Sequence, residues 1–522
     1  MAAILGAYLL IRLVPLPGVS CDVSLTKDCS PGDEAIGLVP ADAYAYLHAD
    51  TDPGSGQFEQ ARELAERLPH FGSIAQGSLQ ALGVPGNVVL SRDVLPWLGS
   101  EAAAAQVPAR GGAPQQLLLL SVADESGARS FLRQVGGSGS RGEHGGTAVT
   151  TYRNGLASTE LNGFLLLGGP AAVRGAIDAA GDGGDSLADD ETAQDVRSSL
   201  PDTRLADAYV SKEGIARLLA GRPGAAGSID TFADFGASRG LAAAAVAHDD
   251  GIELQLSSSL DPEEARASPP FFAAFPQFSP ELASALPADS LAMLDIGDPS
   301  QTARALLEQA DAAVPGISAA FDRLDRRLSR AGGIGIEHGL LPLLDGEAAA
   351  AVAPGRPVPY VTMIFDGVDE QKAKDAVVSL QAPLIGAVNP ATTGQAPTLS
   401  QRRIGGVTVH SISLSPAVDL TYAVSGGRLV IASAPRGVEQ ALDGSDDLAS
   451  QDSYRTVAAP ASDGTSALLF LNLQGLVQLA APRGLAGIVS SFRQDLAKMK
   501  ALGVSVKSSE DRLETKAFLE ID

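Results

Sequence analysis

Residues 39–53 of this chain, VPADAYAYLHADTDP, recur one residue shorter as LPADSLAMLDIGDP at residues 286–299. LPWLGSEAAAAQVP (95–108) recurs as LPLLDGEAAAAVAP (341–354), and the strand-then-helix pattern of residues 117–135 recurs at 360–380. NGFLLLGGPAAVRGAID (162–178) matches GGRLVIASAPRGVEQALD (426–443), and DAYVSKEGIARLLA (207–220) matches ALLFLNLQGLVQLA (467–480). Five blocks in one order point to a duplicated module, because chance similarity has no reason to preserve order. The chain is also too long for one hydrophobic core, so two domains are expected on size alone. The spacing predicts copies over residues 36–262 and 282–522, joined by a Phe/Pro-rich linker at 263–281. Phe271, Phe272, Phe275 and Phe278 fall in that linker, and it is expected to pack on the copies because a flexible connector is normally polar.

Within each copy, short apolar or alternating runs read as strands, such as Gln115 to Val122 and Leu429 to Ala432. Helices are marked by caps. Asp189 and Asp190 precede ETAQDVRSSL, while Pro170 and Pro435 stand where a first helical turn tolerates proline. The order expected is strand, two helices, an Ala-rich strand, a strand, a helix, two strands, a helix pair, a strand, a helix and a closing hairpin. Regular β-α-β alternation is missing, so the fold class is α+β. It is a tandem duplication of a mixed, largely antiparallel sheet with covering helices, preceded by an N-terminal apolar helix. Residues 386–403, rich in Pro, Thr and Gln, read as a surface loop.

Residues 2–20 are apolar apart from Tyr8, Arg12 and Ser20, and Pro15 stops a helix early. Residues 1–20 therefore read as a membrane anchor or signal segment, and 21–35 as a stalk. The segment is marginal as a spanning helix and lacks a basic n-region, so an uncleaved anchor, a cleaved or lipidated signal and a buried core helix all remain open. A start inside a longer signal-anchor would account for the missing n-region. Cys21 and Cys29 are the sole cysteines, directly after this segment, and are expected to form a disulfide in an oxidising compartment.

The net charge of −24 makes approach to nucleic acid or anionic lipid repulsive, so nucleic acid is a poor partner. Apolar residues at 45% with charged residues at 19% fit a folded domain and not a disordered one.

No catalytic, cofactor-binding or metal motif emerges from the sequence. Gly137, Gly139 and Gly142 fit G-x-G-x-x-G but follow a helix instead of joining a strand to a helix, and are expected to form a loop. Ser238 lies in G-x-S-x-G, but the strand expected before it comes after it. His48, Asp50 and Asp52 form the one polar cluster worth testing, since alternation at a strand end puts them on one face. An ordinary polar strand end is the competing reading. The acidic runs at 178–191 and 443–452 lack the spacing of a calcium loop and read as helix caps and solvated turns.

The PADA-x-AY-x-H-x-D start at Pro40 to Asp50, the cysteine pair behind an apolar leader, and L-P-W-L-G-x-E-A at Leu95 to Ala102 resemble an uncharacterised bacterial family, domain of unknown function 3352. The resemblance implies a membrane-anchored or exported protein and no catalytic residues. Three functions follow as expectations. The first is a non-enzymatic binding or scaffold protein of the cell envelope, outside the cytoplasm, with an envelope protein as partner. The second is a carrier or sensor of an apolar ligand held between the copies. The third is a hydrolase using His48 with Asp50 or Asp52.

Overall fold

The computed structural model describes residues 32–68, 88–109, 112–220, 235–267, 275–304, 307, 316–332, 334–387, 397–415, 418–444, 446–459, 461, 463–480 and 493–522. Cys21, Cys29 and the apolar N-terminal segment lie outside the described residues, as do Phe271 and Phe272. Among the described residues no helix is long and apolar enough to cross a membrane.

The first ten strands are β1 (Ala45–Asp50), β2 (Leu98–Val107), β3 (Gln115–Val122), β4 (Gly139–His144), β5 (Thr147–Tyr152), β6 (Ala157–Leu161), β7 (Phe164–Gly168), β8 (Ala206–Ser211), β9 (Ser238–His248) and β10 (Gly251–Leu260). The next ten are β11 (Ala292–Gly297), β12 (Glu347–Ala353), β13 (Tyr360–Phe365), β14 (Thr398–Ile404), β15 (Val407–Ser415), β16 (Val418–Ser425), β17 (Arg428–Ala432), β18 (Ala467–Asn472), β19 (Met499–Ser508) and β20 (Arg512–Ile521).

Every pairing among them is antiparallel, and they form one continuous sheet. From edge to edge the first ten run β4-β5-β6-β7-β3-β2-β1-β8-β9-β10. The second ten continue as β20-β19-β18-β11-β12-β13-β17-β16-β15-β14. β10 meets β20 in a ladder from Gly251↔Glu520 to Ser259↔Arg512. Arg512 also reaches Asp195 at 3.0 Å, and Ile521 joins the apolar cluster of Ala245, Ala247 and Ile252, so side chains cross the seam as well.

The central strands β2, β9 and β12 are rich in alanine, which is unusual because alanine is depleted in strands. The structure supplies a reason, since apolar clusters and helices lie against both faces of this sheet. On one face the helix Pro170–Ala179 packs Val173, Ala176 and Ile177 against Leu117, Leu119 and Leu166. On the other, the helices Gly56–Arg67 and Glu125–Gly136 cover Ala247 and Leu167 respectively. A strand covered on both faces loses its polar alternation, and small side chains let both layers approach.

Local signals act as the sequence implies. Asp190 caps the helix Glu191–Arg197 through the Ala193 amide at 2.7 Å, and Pro170 and Pro435 open their helices. Two readings need correction. Four strands, β4 to β7, occupy the place where two were expected. Of residues 386–403, read as a surface loop, 386–387 end the helix Glu370–Ala387 and 398–403 fall in β14. Both β4 and β14 are polar edge strands and lack the apolar periodicity by which strands are recognised. The linker behaves as expected where it is described. Phe275 is buried with Ala467 and Val506, and the Phe278 amide bonds the Thr465 carbonyl at 2.8 Å.

Candidate functional site

β1 lies between β2 and β8, and the register sets Ala103 and Asp207 opposite His48 while Glu101 stands opposite Asp50. Alternation aims His48, Glu101 and Asp207 to one face, so the imidazole falls between two carboxylates. Nε2 of His48 lies 3.3 Å from Glu101 Oε2, and Nδ1 lies 3.3 Å from Asp207 Oδ1. The ring has no solvent exposure.

Cations close around Asp207. Arg197, the last residue of its helix, approaches Asp207 Oδ2 at 2.7 Å and also pairs with Asp33. Arg204 donates its Nε to Asp207 Oδ1 at 2.8 Å. Tyr46 donates its hydroxyl to Asp33, and the Arg197 guanidinium lies 5.8 Å from the Tyr46 ring centre. Glu101 accepts the Ala35 and Glu34 amides at 2.9 and 3.2 Å, which caps the short helix Ala35–Leu38. The cluster thus sets His48, Arg197 and Arg204 against Asp33, Glu101 and Asp207.

Burial pushes the His48 imidazole down, yet hydrogen bonds to Asp207 and Glu101 and the charge of Asp33 outweigh it and raise the pKa to about 10. Burial likewise opposes ionisation of Asp207, but His48, Arg197 and Arg204 hold it below the usual carboxylate range. The chemistry follows from these protonation states. A general base needs an unprotonated nitrogen facing a substrate, whereas His48 carries both protons and faces two carboxylates. Ligand atoms of Asp33, His48 and Asp207 lie within 4.8 Å of one another, close enough to suggest a metal site. A metal would need a neutral imidazole, and the cation bridging Asp33 and Asp207 is the chain's own Arg197, so these residues do not fit one.

Asp50 and Asp52 do not join His48 by hydrogen bonds. Asp50 accepts the Ser55 hydroxyl and the Asp52 amide, the latter at 2.8 Å, and burial raises its pKa to about 6. Asp52 accepts the Gly54 amide at 2.8 Å in the turn before the helix Gly56–Arg67. The expected trio is therefore replaced by Glu101 and Asp207, with Arg197, Arg204 and Asp33 behind them. A signal for two of these was present. Glu101 and Asp207 both lie inside the recurring blocks, but only strand register brings them beside His48.

In the second ten strands, Asp295 pairs with Ala349 and Leu468 as His48 pairs with Ala103 and Asp207. Glu347 accepts the Glu281 and Leu282 amides at 2.7 and 2.9 Å, as Glu101 accepts Glu34 and Ala35. Among the described residues no arginine or lysine pairs with Asp295 or Glu347. Asp295 is fully buried, no donor among the described residues meets full hydrogen-bonding geometry with either oxygen, and the Glu347 carboxyl lies within reach to share a proton with it. Burial, with the neighbouring Glu347 second, raises its pKa to about 9.

The other sequence candidates have structural roles. Ser238 is buried at the start of β9, 2.8 Å from the Ser258 hydroxyl, with the short helix Phe235–Ala237 before it. Gly137 ends the helix Glu125–Gly136 with φ of 66°, and Gly139 and Gly142 lie in β4, where a loop was expected. His144 pairs with Asp178 at 2.7 Å.

No curated protein matches the chain. Among solved structures, two crystal forms of TP0453 are 11% identical; forms I and III cover 44% and 43% of this chain and 79% of their own, with TM-scores of 0.25 and 0.26. A likeness that distant carries no argument. A family model described as "Protein of unknown function (DUF3352)" matches residues 19–519, nearly the whole chain, and the chain belongs to that family.

Proposed function

We propose that this is a non-enzymatic, membrane-anchored binding or scaffold protein of the cell envelope, built by tandem duplication and held outside the cytoplasm. The observation that carries the reading is the His48 centre. Its residue types suit catalysis, but its ring nitrogens face carboxylates, its cations offset its anions, and the imidazole is sealed from solvent. Buried groups committed to one another support a fold and leave nothing to act on a substrate.

Duplication is supported by pairing that recurs strand for strand. It is supported further by matched details: Pro40 bridges Ser186 as Pro287 bridges Asp447, and the Gly214 amide bonds Ser211 as the Gly475 amide bonds Asn472. The β10–β20 ladder favours a scaffold over a carrier with its ligand between the halves, since the strands there already satisfy each other. Anchoring rests on the apolar residues 2–20 and on Cys21 and Cys29 behind them, a pairing suited to an oxidising compartment.

The test is fractionation of cells expressing the chain with and without residues 2–20. The intact chain is expected in the membrane fraction, open to protease added outside and with both thiols blocked before reduction. Soluble or protease-protected protein counts against anchoring. Turnover of any ester, peptide or phosphate substrate that a folded His48→Gln variant loses would overturn the non-catalytic reading.

A further inference from the structure

The helix Ile317–Gly332, between β11 and β12 in the chain, carries Arg323, Arg326, Arg327 and Arg330. At about 3.6 residues per turn these four fall within roughly 100° of arc, a single stripe along one side. The opposite side is the one that meets the protein. There Phe321 is half-buried, Asp325 accepts the Glu337 amide at 3.0 Å, and the helix packs on its neighbour Glu370–Ala387. All four arginines are exposed.

Exposed helix faces elsewhere in this protein neutralise their charges one turn apart. Arg62 pairs with Glu66 at 3.0 Å, Arg129 with Glu125 at 3.1 Å and Lys374 with Glu370 at 3.4 Å. The arginine stripe is not neutralised in this way. Arg326 reaches Asp322 only at 3.9 Å, and among the described residues Arg323, Arg327 and Arg330 approach no carboxylate within ion-pair distance. Arg323 and Arg330 each neighbour both Arg326 and Arg327 instead, at spacings where like charges weaken a helix. The adjacent helix offers no relief, since its Lys372 pairs with Asp369, its Lys374 with Glu370, and its Asp375 accepts from Gln371. Duplication does not account for the stripe either. Residues 68–91, in the corresponding place between β1 and β2, contain no lysine, arginine, aspartate or glutamate.

Unpaired arginines in a chain of net charge −24 fit an anion from outside. The planar guanidinium fork suits phosphate oxygens, which it can bond in pairs. From Arg323 to Arg330 the stripe runs about 10 Å along the helix axis, so the forks address a plane of anions and do not converge on one ion. The charge of the whole chain does not forbid that contact, because at physiological ionic strength charges more than about 8 Å from the headgroups are screened.

We infer that this stripe docks the second ten strands onto a bilayer of anionic phospholipid, with the four guanidinium groups on headgroup phosphates. The inference rests on the anchoring reading, which keeps a bilayer within reach.

The full chain is mixed with vesicles of phosphatidylcholine alone or with about one-third phosphatidylglycerol, and accessible arginines are modified with phenylglyoxal. Retention by the neutral vesicles reports the apolar N-terminal segment, so anchoring is scored separately. On the anionic vesicles the four arginines should react about fivefold more slowly than on the neutral ones, the equivalent of about 1 kcal/mol each. The protection should vanish in about 1 M salt, where screening acts within about 3 Å. Arg455, 64% exposed on the helix Asp452–Ala458, should react alike on both. Arg323→Glu combined with Arg327→Glu should abolish the protection of Arg326 and Arg330, and lysine at both positions should keep it. Equal reactivity on the two kinds of vesicle, or protection that survives high salt, would overturn the inference and leave anchoring in place. Protection by inorganic phosphate without vesicles would also overturn it, by assigning the stripe to a soluble anion.

Discussion

His48 and Asp295 occupy corresponding places in the strand register but have opposite surroundings, and their pH behaviour separates them. The folded-state pKa of His48, about 10, lies above its unfolded value near 6.5. Its stabilisation is therefore fully present below about pH 6.5 and is lost as pH rises through about 10. His48→Gln should cost about 3–5 kcal/mol at neutral pH, the range for breaking a buried charge pair, and the deficit should shrink toward pH 10 in urea titrations. The folded pKa of Asp295, about 9, also lies above its unfolded value near 3.8, but here protonation relieves a burial cost. The folded state holds the extra proton between those values, so stability falls as pH rises across that window. Asp295→Asn should stabilise the protein at pH 7 by about 1–3 kcal/mol and have little effect near pH 4. A variant no more stable than its parent at pH 7 would show that Asp295 has a partner in solution.

At the level of single elements, composition explains what the sequence concealed. β4 and β14 close the two edges of the sheet with GSRGEH and TLSQRRI, polar or charged strands that resist pairing with another molecule. The property that protects an edge also removes the apolar pattern that reveals a strand, and so both were read as loops. Close approach matters more in the middle of the sheet. A Cβ at Gly503 in β19 would stand 2.1 Å from the Val457 carbonyl oxygen of the helix Asp452–Ala458. Gly503→Ala must push that helix off the sheet, with an expected loss of about 1–3 kcal/mol in thermal or urea unfolding. Retained stability would mean that the helix is not seated as described.

On the scale of the whole molecule, the seam decides how the chain behaves. β10 and β20 are both interior strands only because they pair with each other across the ladder from Gly251 to Ser259. A chain limited to residues 32–267 would leave β10 as a long unpaired edge. Its expected response is an antiparallel β10–β10 dimer, since β10 and β20 hold equivalent places in the strand order. Light scattering on the half-chain at tens of micromolar should read a dimer. A stable monomer would show that β10 does not need a partner strand.

The sequence by itself determined the recurrence of the blocks, the α+β class, the caps at Asp190, Pro170 and Pro435, and the inward packing of Phe275. Each depends on neighbours in the chain or on a local period. His48 was legible as a candidate for the same reason. Its partners were not, because Glu101, Asp207 and Arg197 come from separate elements that only the register of β1 with β2 and β8 and the docking of one helix bring together. The cavity lined by Val377, Val407 and Tyr422 belongs to the tertiary structure for the same reason: these residues are distant in sequence and meet only where the helix Glu370–Ala387 packs on β15 and β16.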